Sequence, residues 1–164
     1  MLEFKPQSPK RIDAQAAALL AYLGLDASDA RHLKFTRPDG FDPEPKNCHL
    51  NVWCQLKRGG GSPLHGWVIA QDKAKLFAEA IFHTVWQTPE GRVSDITPRE
   101  DFEKRLLFVP DRNRTITLSQ HEGRPAIITF DNVRMLGSRL ITPLTRTKIA
   151  MQDGFAERYG LWPW

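Results

Sequence analysis

The sequence predicts an α+β domain in which helices come first and a mainly antiparallel β-sheet follows. Three observations carry this reading. Ala16, Leu19, Leu20 and Leu23 recur at helical spacing. After Gly59-Gly60-Gly61 the chain changes to short β-type runs separated by turn residues. Two of those runs flank Thr88-Pro89-Glu90-Gly91, a turn that folds them into an antiparallel hairpin.

The elements follow in order. Pro6 and Pro9 hold residues 1–10 open as an extended arm. The apolar spacing predicts a helix over Ile12–Leu25, with Asp13 in its first turn and Gly24 near its end, and a second short helix over Ser28–Leu33. Pro38, Gly40, Pro43 and Pro45 make residues 36–47 a rigid loop. Asn47 is placed to cap a helix over Cys48–Arg58, which the glycine triplet stops. Strands are expected near Leu64–Gln71, Lys75–Gln87, Arg92–Thr97, Arg105–Val109 and Ala126–Phe130, with a further one at Thr115–Ser119. Thr145–Tyr159 reads as a closing helix containing Gly154.

The 164 residues suit one domain spanning 1–164, and 41% hydrophobic with 26% charged residues is an ordinary globular composition. No apolar run approaches a membrane span. Met1-Leu2-Glu3-Phe4-Lys5 lacks the segments of a secretory leader, so a cytoplasmic location is expected. Two cysteines six residues apart on one helix point to different faces, so Cys48 and Cys54 are expected to be reduced. The net charge of +4 is mild and its basic residues are spread along the chain.

Chemistry concentrates in an ordered trio. Cys48 opens a helix, where the macrodipole and unpaired N–H groups favour a thiolate and can receive an oxyanion. His83 lies in the apolar run Phe77–Trp86, where a buried imidazole needs a partner. Asp95 lies just past the hairpin turn. With a tight turn, residues whose numbers sum to 178 face each other, which sets Asp95 directly opposite His83. A one-residue slip would put the two on opposite faces. Thiol, imidazole and carboxylate are the parts of an activated cysteine nucleophile. Cys54 reads as a small core residue.

Cys48 at a helix start, Phe82-His83-Thr84-Val85-Trp86, and Val93-Ser94-Asp95-Ile96-Thr97-Pro98 together resemble the papain-like cysteine hydrolase superfamily, and within it the transglutaminase-like branch. The resemblance covers residues 47–98 and implies a nucleophile-bearing helix packed on the sheet. It implies amide-bond chemistry: peptide hydrolysis, glutamine deamidation or acyl transfer, with a protein or peptide substrate and no cofactor. Cys48 matches the nucleophile, His83 the base and Asp95 the orienting carboxylate. Trp86 matches the tryptophan that follows the histidine. The family's aromatic flank to the nucleophile and its upstream oxyanion-hole glutamine are missing, and Asn47 or Asn51 could stand in for the latter.

Other readings stay open. Cys48, His49, Cys54, His65 and His83 include enough ligands for zinc, although their spacing fits no common knuckle. A non-catalytic binding module could use the basic C-terminal half, with Arg134, Arg139, Arg146 and Lys148, to contact a protein or nucleic acid. Trp162 and Trp164 either fold onto the body or form a partner-binding tail. Should Asp95 not orient His83, Glu79 or Asp72 is the alternative carboxylate.

Overall fold

A computed structural model describes residues 3–101, 103–151 and 154–164. Helix α1 (Ala14–Leu23) begins where the Asp13 carboxylate accepts from the Ala16 N–H at 2.9 Å. It ends at Gly24, whose positive φ lets the chain reverse while Leu25 N–H bonds the Leu20 carbonyl. Ala16, Leu19, Leu20 and Leu23 form its buried stripe.

The short helix expected over Ser28–Leu33 is replaced by a single 3₁₀ turn, Ala27–Asp29, and strand β1 (Arg31–Lys34). A helix this short does not nucleate by itself. As a strand, Arg31-His32-Leu33-Lys34 pairs with residues 105–108 and buries Leu33 alone. Helix α2 (Cys48–Gly59) falls where expected.

The strands that follow are β2 (Ser62–Asp72), β3 (Phe77–Gln87), β4 (Val93–Ser94), β5 (Arg105–Pro110), β6 (Thr117–His121), β7 (Arg124–Phe130), β8 (Val133–Leu136), β9 (Arg139–Thr142) and β10 (Arg146–Ala150). The larger sheet has the order β1-β5-β2-β3-β8-β9, with β4 also on β3, and the smaller has the order β10-β7-β6. All strand ladders are antiparallel. The fold is therefore α+β, as the sequence predicts.

Two differences are informative. The segment expected as a closing helix, Thr145–Tyr159, instead forms β10 and one helical turn, α3 (Phe155–Arg158); residues 152 and 153 within it lie outside the described residues. Thr147 and Ile149 alternate along the strand, and Gly154 at φ 72° separates the two pieces. The hairpin β8–β9 was not anticipated. Its signal was Gly137-Ser138 between two β-type runs, closing a two-residue turn with Leu136 opposite Arg139.

The two faces of the larger sheet bury separate clusters. On one, α1 packs against Trp67, Ile69, Ala80, Phe82, Leu107 and Val109. On the other, Leu33, Leu64, Val68, Val85, Leu106 and Phe108 form a second cluster. A Cβ on Gly66 would come within 2.3 Å of the Val109 carbonyl, so glycine permits the close approach of β2 and β5. The N-terminal arm, outside the description at its first two residues, docks on the sheet through the Gln7–Gln71 bridge and a stacked Phe4–Phe77 pair. The C-terminal tail folds onto the body, with Trp164 stacked on Trp53 and its Nε1–H bonded to the Ser119 carbonyl at 2.9 Å. No helix among the described residues is long and apolar enough to cross a membrane.

One gap positions the site. Strand β3 pairs with β2 along its whole length. Its other edge pairs with β8 over 77–80 and with β4 over 86–87. Residues 81–85 between them have no ladder partner on that edge among the described residues, and the first turn of α2 comes up against this stretch.

Candidate active site

Cys48 is the first residue of α2, and Asn47 takes the N-cap position without a side-chain capping bond. The first intrahelical bond runs from Asn51 N–H to the Asn47 carbonyl at 2.9 Å. The N–H groups of Cys48, His49 and Leu50 precede it, so helix geometry gives them no intrahelical acceptor. They carry the positive end of the helix to the Cys48 sulfur.

The hairpin forms around the expected turn. Thr88 N–H bonds the Arg92 carbonyl and Gly91 N–H bonds the Thr88 carbonyl, both at 2.8 Å. The register differs from the expected one. Trp86 faces Ser94 and Gln87 faces Val93, which sets Asp95 across from Val85 instead of His83. The shift is two residues, so the pleat keeps Asp95 and His83 on one face as diagonal neighbours. His83 Nε2–H donates to Asp95 Oδ1 at 3.0 Å. The same oxygen accepts from the Thr97 N–H at 3.2 Å, while Asp95 Oδ2 is buried without a hydrogen-bond partner among the described residues. The Asp95 carbonyl also accepts from Thr36 N–H at 2.8 Å, fixing this segment beside the end of β1.

With Nε2 committed to Asp95, Nδ1 is the His83 nitrogen left for Cys48, which lines the same cleft. Burial disfavours the charged form of each. The surrounding charges reverse that effect. Thiolate and carboxylate push the His83 imidazolium up to about 10. For Cys48, the charges and hydrogen bonds of His49 and His83 outweigh burial and hold the thiol well below its usual range. The arrangement favours a thiolate–imidazolium pair.

The other site residues separate. Asn47 is buried and lines the cleft beside Cys48. Asn51 is not available as an oxyanion donor. Its amide donates to the Glu44 carbonyl at 2.8 Å and Thr97 Oγ1 at 3.1 Å, and its oxygen accepts from Glu44 N–H at 3.0 Å. It ties the loop before α2 to the segment after Asp95. Trp86 alternates away from His83 and donates its Nε1–H to the Gly60 carbonyl at 2.9 Å, packing on the end of α2 instead of lining the cleft. Cys54 is buried with Leu50, Val52, Ile96 and Phe155. Both cysteines are unbridged. Glu79 pairs with Arg134 at the far end of β3, and Asp72 accepts from Lys5 N–H.

Sequence reasoning did not give His49 or His65 a role in this chemistry. Thr84 Oγ1 lies between them, hydrogen-bonded to His49 Nδ1 and, at 2.8 Å, to His65 Nδ1. His49 also bonds Thr129 Oγ1 through Nε2, at 3.2 Å. The available signal was the β2–β3 register, which sets His65 directly opposite Thr84. The zinc set does not assemble: Cys54 lies in a separate apolar cluster, and no group of three metal-ligating side chains forms among the described residues.

Cys48 and His83 lie in a cleft of about 540 Å³. One wall is apolar, from Ile127, Phe130, Ile149 and Met151. The other carries charges that neutralise one another: Lys46 with Glu100 at 3.0 Å, and Arg99 with Asp101 at 2.5 Å. No family model, no curated protein and no solved structure matches this chain.

Proposed function

We propose that this chain is a cysteine-dependent hydrolase or acyltransferase of papain-like, transglutaminase-like type, acting on an amide bond of a protein or peptide. The observation that carries the reading is a cleft in which Cys48, at the start of a helix, meets His83, whose ring is held by Asp95 at 3.0 Å.

The chemistry follows from those positions. The Cys48 thiolate attacks the carbonyl carbon, and the negative charge moves to the carbonyl oxygen. The N–H groups at the start of α2, with Asn47 beside them, are the donors nearest that charge. His83 gives its Nδ1 proton to the departing amine as the carbonyl re-forms, leaving a thioester on Cys48. Asp95 keeps the imidazole facing the sulfur and stabilises its charged form. Water or an acceptor amine then attacks the thioester, and His83 Nδ1 takes the proton released. Water completes peptide hydrolysis or deamidation; an amine completes transfer. Neutralised charges at the rim and an apolar wall favour an uncharged side chain beside the reacting group.

Alkylation by iodoacetamide at about pH 5.5 tests this without a known substrate, because only an ionised thiol reacts there. Modification is expected at Cys48 and not at Cys54. A Cys48 that reacts only in the ordinary thiol range would overturn the proposal.

A further inference from the structure

We propose that a second cavity, next to the cleft along α2, receives an uncharged aromatic side chain of the peptide substrate, with tyrosine the best fit. This deepens the hydrolase reading and rests on the substrate being a peptide.

The second cavity has a volume of about 240 Å³. Val52, Trp53 and Leu56 of α2 line it, with Ile116 and Leu118 from around the start of β6 and His65 from β2. His49 lines both this cavity and the cleft that holds Cys48. Hydrogen-bonded to Thr84 Oγ1 and Thr129 Oγ1, it stands between the two. Residues 49, 52, 53 and 56 share one helix face, so the cavity follows α2 away from the nucleophile. Val52 lies one turn, about 6 Å of rise, from Cys48. An extended peptide covers that in about two residues.

The lining selects the occupant. No acidic, lysine or arginine side chain lines the cavity. A charged group would lose its hydration there without a countercharge, so a lysine amine is excluded. Trp53, Leu56, Ile116 and Leu118 are only half-buried, which leaves apolar surface for a ligand to cover. Two rings in the lining are fixed by stacking. Trp53 lies on Trp164, with centroids at 5.5 Å, and His65 lies on Phe82, at 5.9 Å. Fixed ring faces favour a flat group. The volume is that of about eight waters at about 30 Å³ each, close to what one phenol fills.

His65 supplies the polar contact. Its Nδ1 is hydrogen-bonded to Thr84 Oγ1 at 2.8 Å, and its Nε2 has no partner among the described residues. Burial lowers its imidazolium form to about 4, so the ring is neutral at ordinary pH. The Nε2 of a neutral ring donates or accepts, depending on the tautomer. A phenol hydroxyl answers either tautomer, whereas an indole N–H answers only one.

The test reads binding in Cys48→Ala, which holds a peptide without turning it over. Methyl NMR follows titration with p-cresol and with toluene. p-Cresol is expected to shift the methyls of Leu56, Ile116 and Leu118 and to bind about fivefold tighter than toluene. His65→Phe should erase that preference, and Ile116→Trp, which fills the cavity, should abolish binding of both. A second titration uses end-blocked octapeptides of glycine and serine with one central glutamine and one tyrosine, walked through the other positions. A tyrosine about two residues from the glutamine is expected to tighten binding about tenfold or more over the tyrosine-free peptide. That peptide should shift the methyls of Leu118 and Ile149 together.

No shift of the three cavity methyls by p-cresol would overturn the proposal. So would p-cresol binding with no tyrosine peptide tighter than the tyrosine-free one, because the cavity would then take free small molecules only. Both titrations use a protein without the thiol, so a negative result leaves the iodoacetamide test of Cys48 standing, and a failed iodoacetamide test leaves these titrations standing. Circular dichroism melts check folding, and Leu118→Phe replaces Ile116→Trp should the latter not fold.

Discussion

Cys48 and Cys54 share one helix, are both buried and are both unbridged. Their surroundings differ in every respect that matters to a thiol. Cys48 sits at the positive end of α2 against His49 and His83, whereas Cys54 sits further along among Leu50, Val52, Ile96 and Phe155. The comparison separates burial from inertness. A buried thiol stays protonated when its neighbours offer no charge, and ionises more readily when an imidazole and a helix terminus do.

The largest effect expected is from Cys48→Ala. Turnover of any amide substrate the parent accepts should fall to background, with a far smaller change in thermal midpoint; parent-like turnover would break the contrast. Next is Asp95→Asn, which keeps the side-chain shape but not the charge that orients and stabilises the His83 imidazolium. Turnover should fall by about a thousandfold or more with little change in KM. Unchanged kinetics in a folded Asp95→Asn protein would reduce Asp95 to a structural residue. Smaller again is Cys54→Ala, which should lose about 1 kcal/mol of packing, or about 3 °C in a melt, and leave turnover close to the parent's.

The smallest effect is the pH dependence of stability. His83 is raised from its ordinary 6.5 to about 10, so its contribution is full below 6.5 and is lost as pH rises through about 10. Cys48 is lowered from 9.0, so its contribution is present above 9.0 and is lost as pH falls through its folded value. Between 6.5 and 9.0 the two slopes cancel, because the unfolded pair and the folded ion pair hold the same number of protons. Urea denaturation across this range should find the pair's contribution level in the parent and in Cys54→Ala. In Cys48→Ala it should decline with rising pH, because His83 is left alone with Asp95. A Cys48→Ala profile parallel to the parent's would show that the two groups are not coupled.

The parts of this arrangement legible in the sequence are those set by local rules. Asn47 and the glycine triplet bracket α2 almost to the residue, and Thr88–Gly91 announces the hairpin. The pairing of His83 with Asp95 was readable because strand side chains alternate, although the register was off by two. What could not be read depends on long-range packing. His49 is hydrogen-bonded to Thr84 and Thr129, which only the folded sheets bring to it. The apolar wall of the cleft comes partly from β10, in a segment whose charged and β-branched residues also fit a helical pattern. Asn51 shares a helix face with the nucleophile's neighbourhood, yet its amide is captured by Glu44 and Thr97, a loop contact with no periodic signature.

The diagonal contact between His83 and Asp95 also sets a rule for how this hairpin can change in length over evolutionary time. Two registers keep the carboxylate within reach of the ring: the observed one and the direct pairing two residues away. The register between them turns Asp95 through the sheet to the other side. Insertions and deletions in the Thr88–Gly91 turn that slide the strands should therefore survive selection in pairs, while single-residue changes should be purged unless a bulge absorbs them. Among descendants of this chain, the parity of the interval from His83 to Asp95 should vary less than its length.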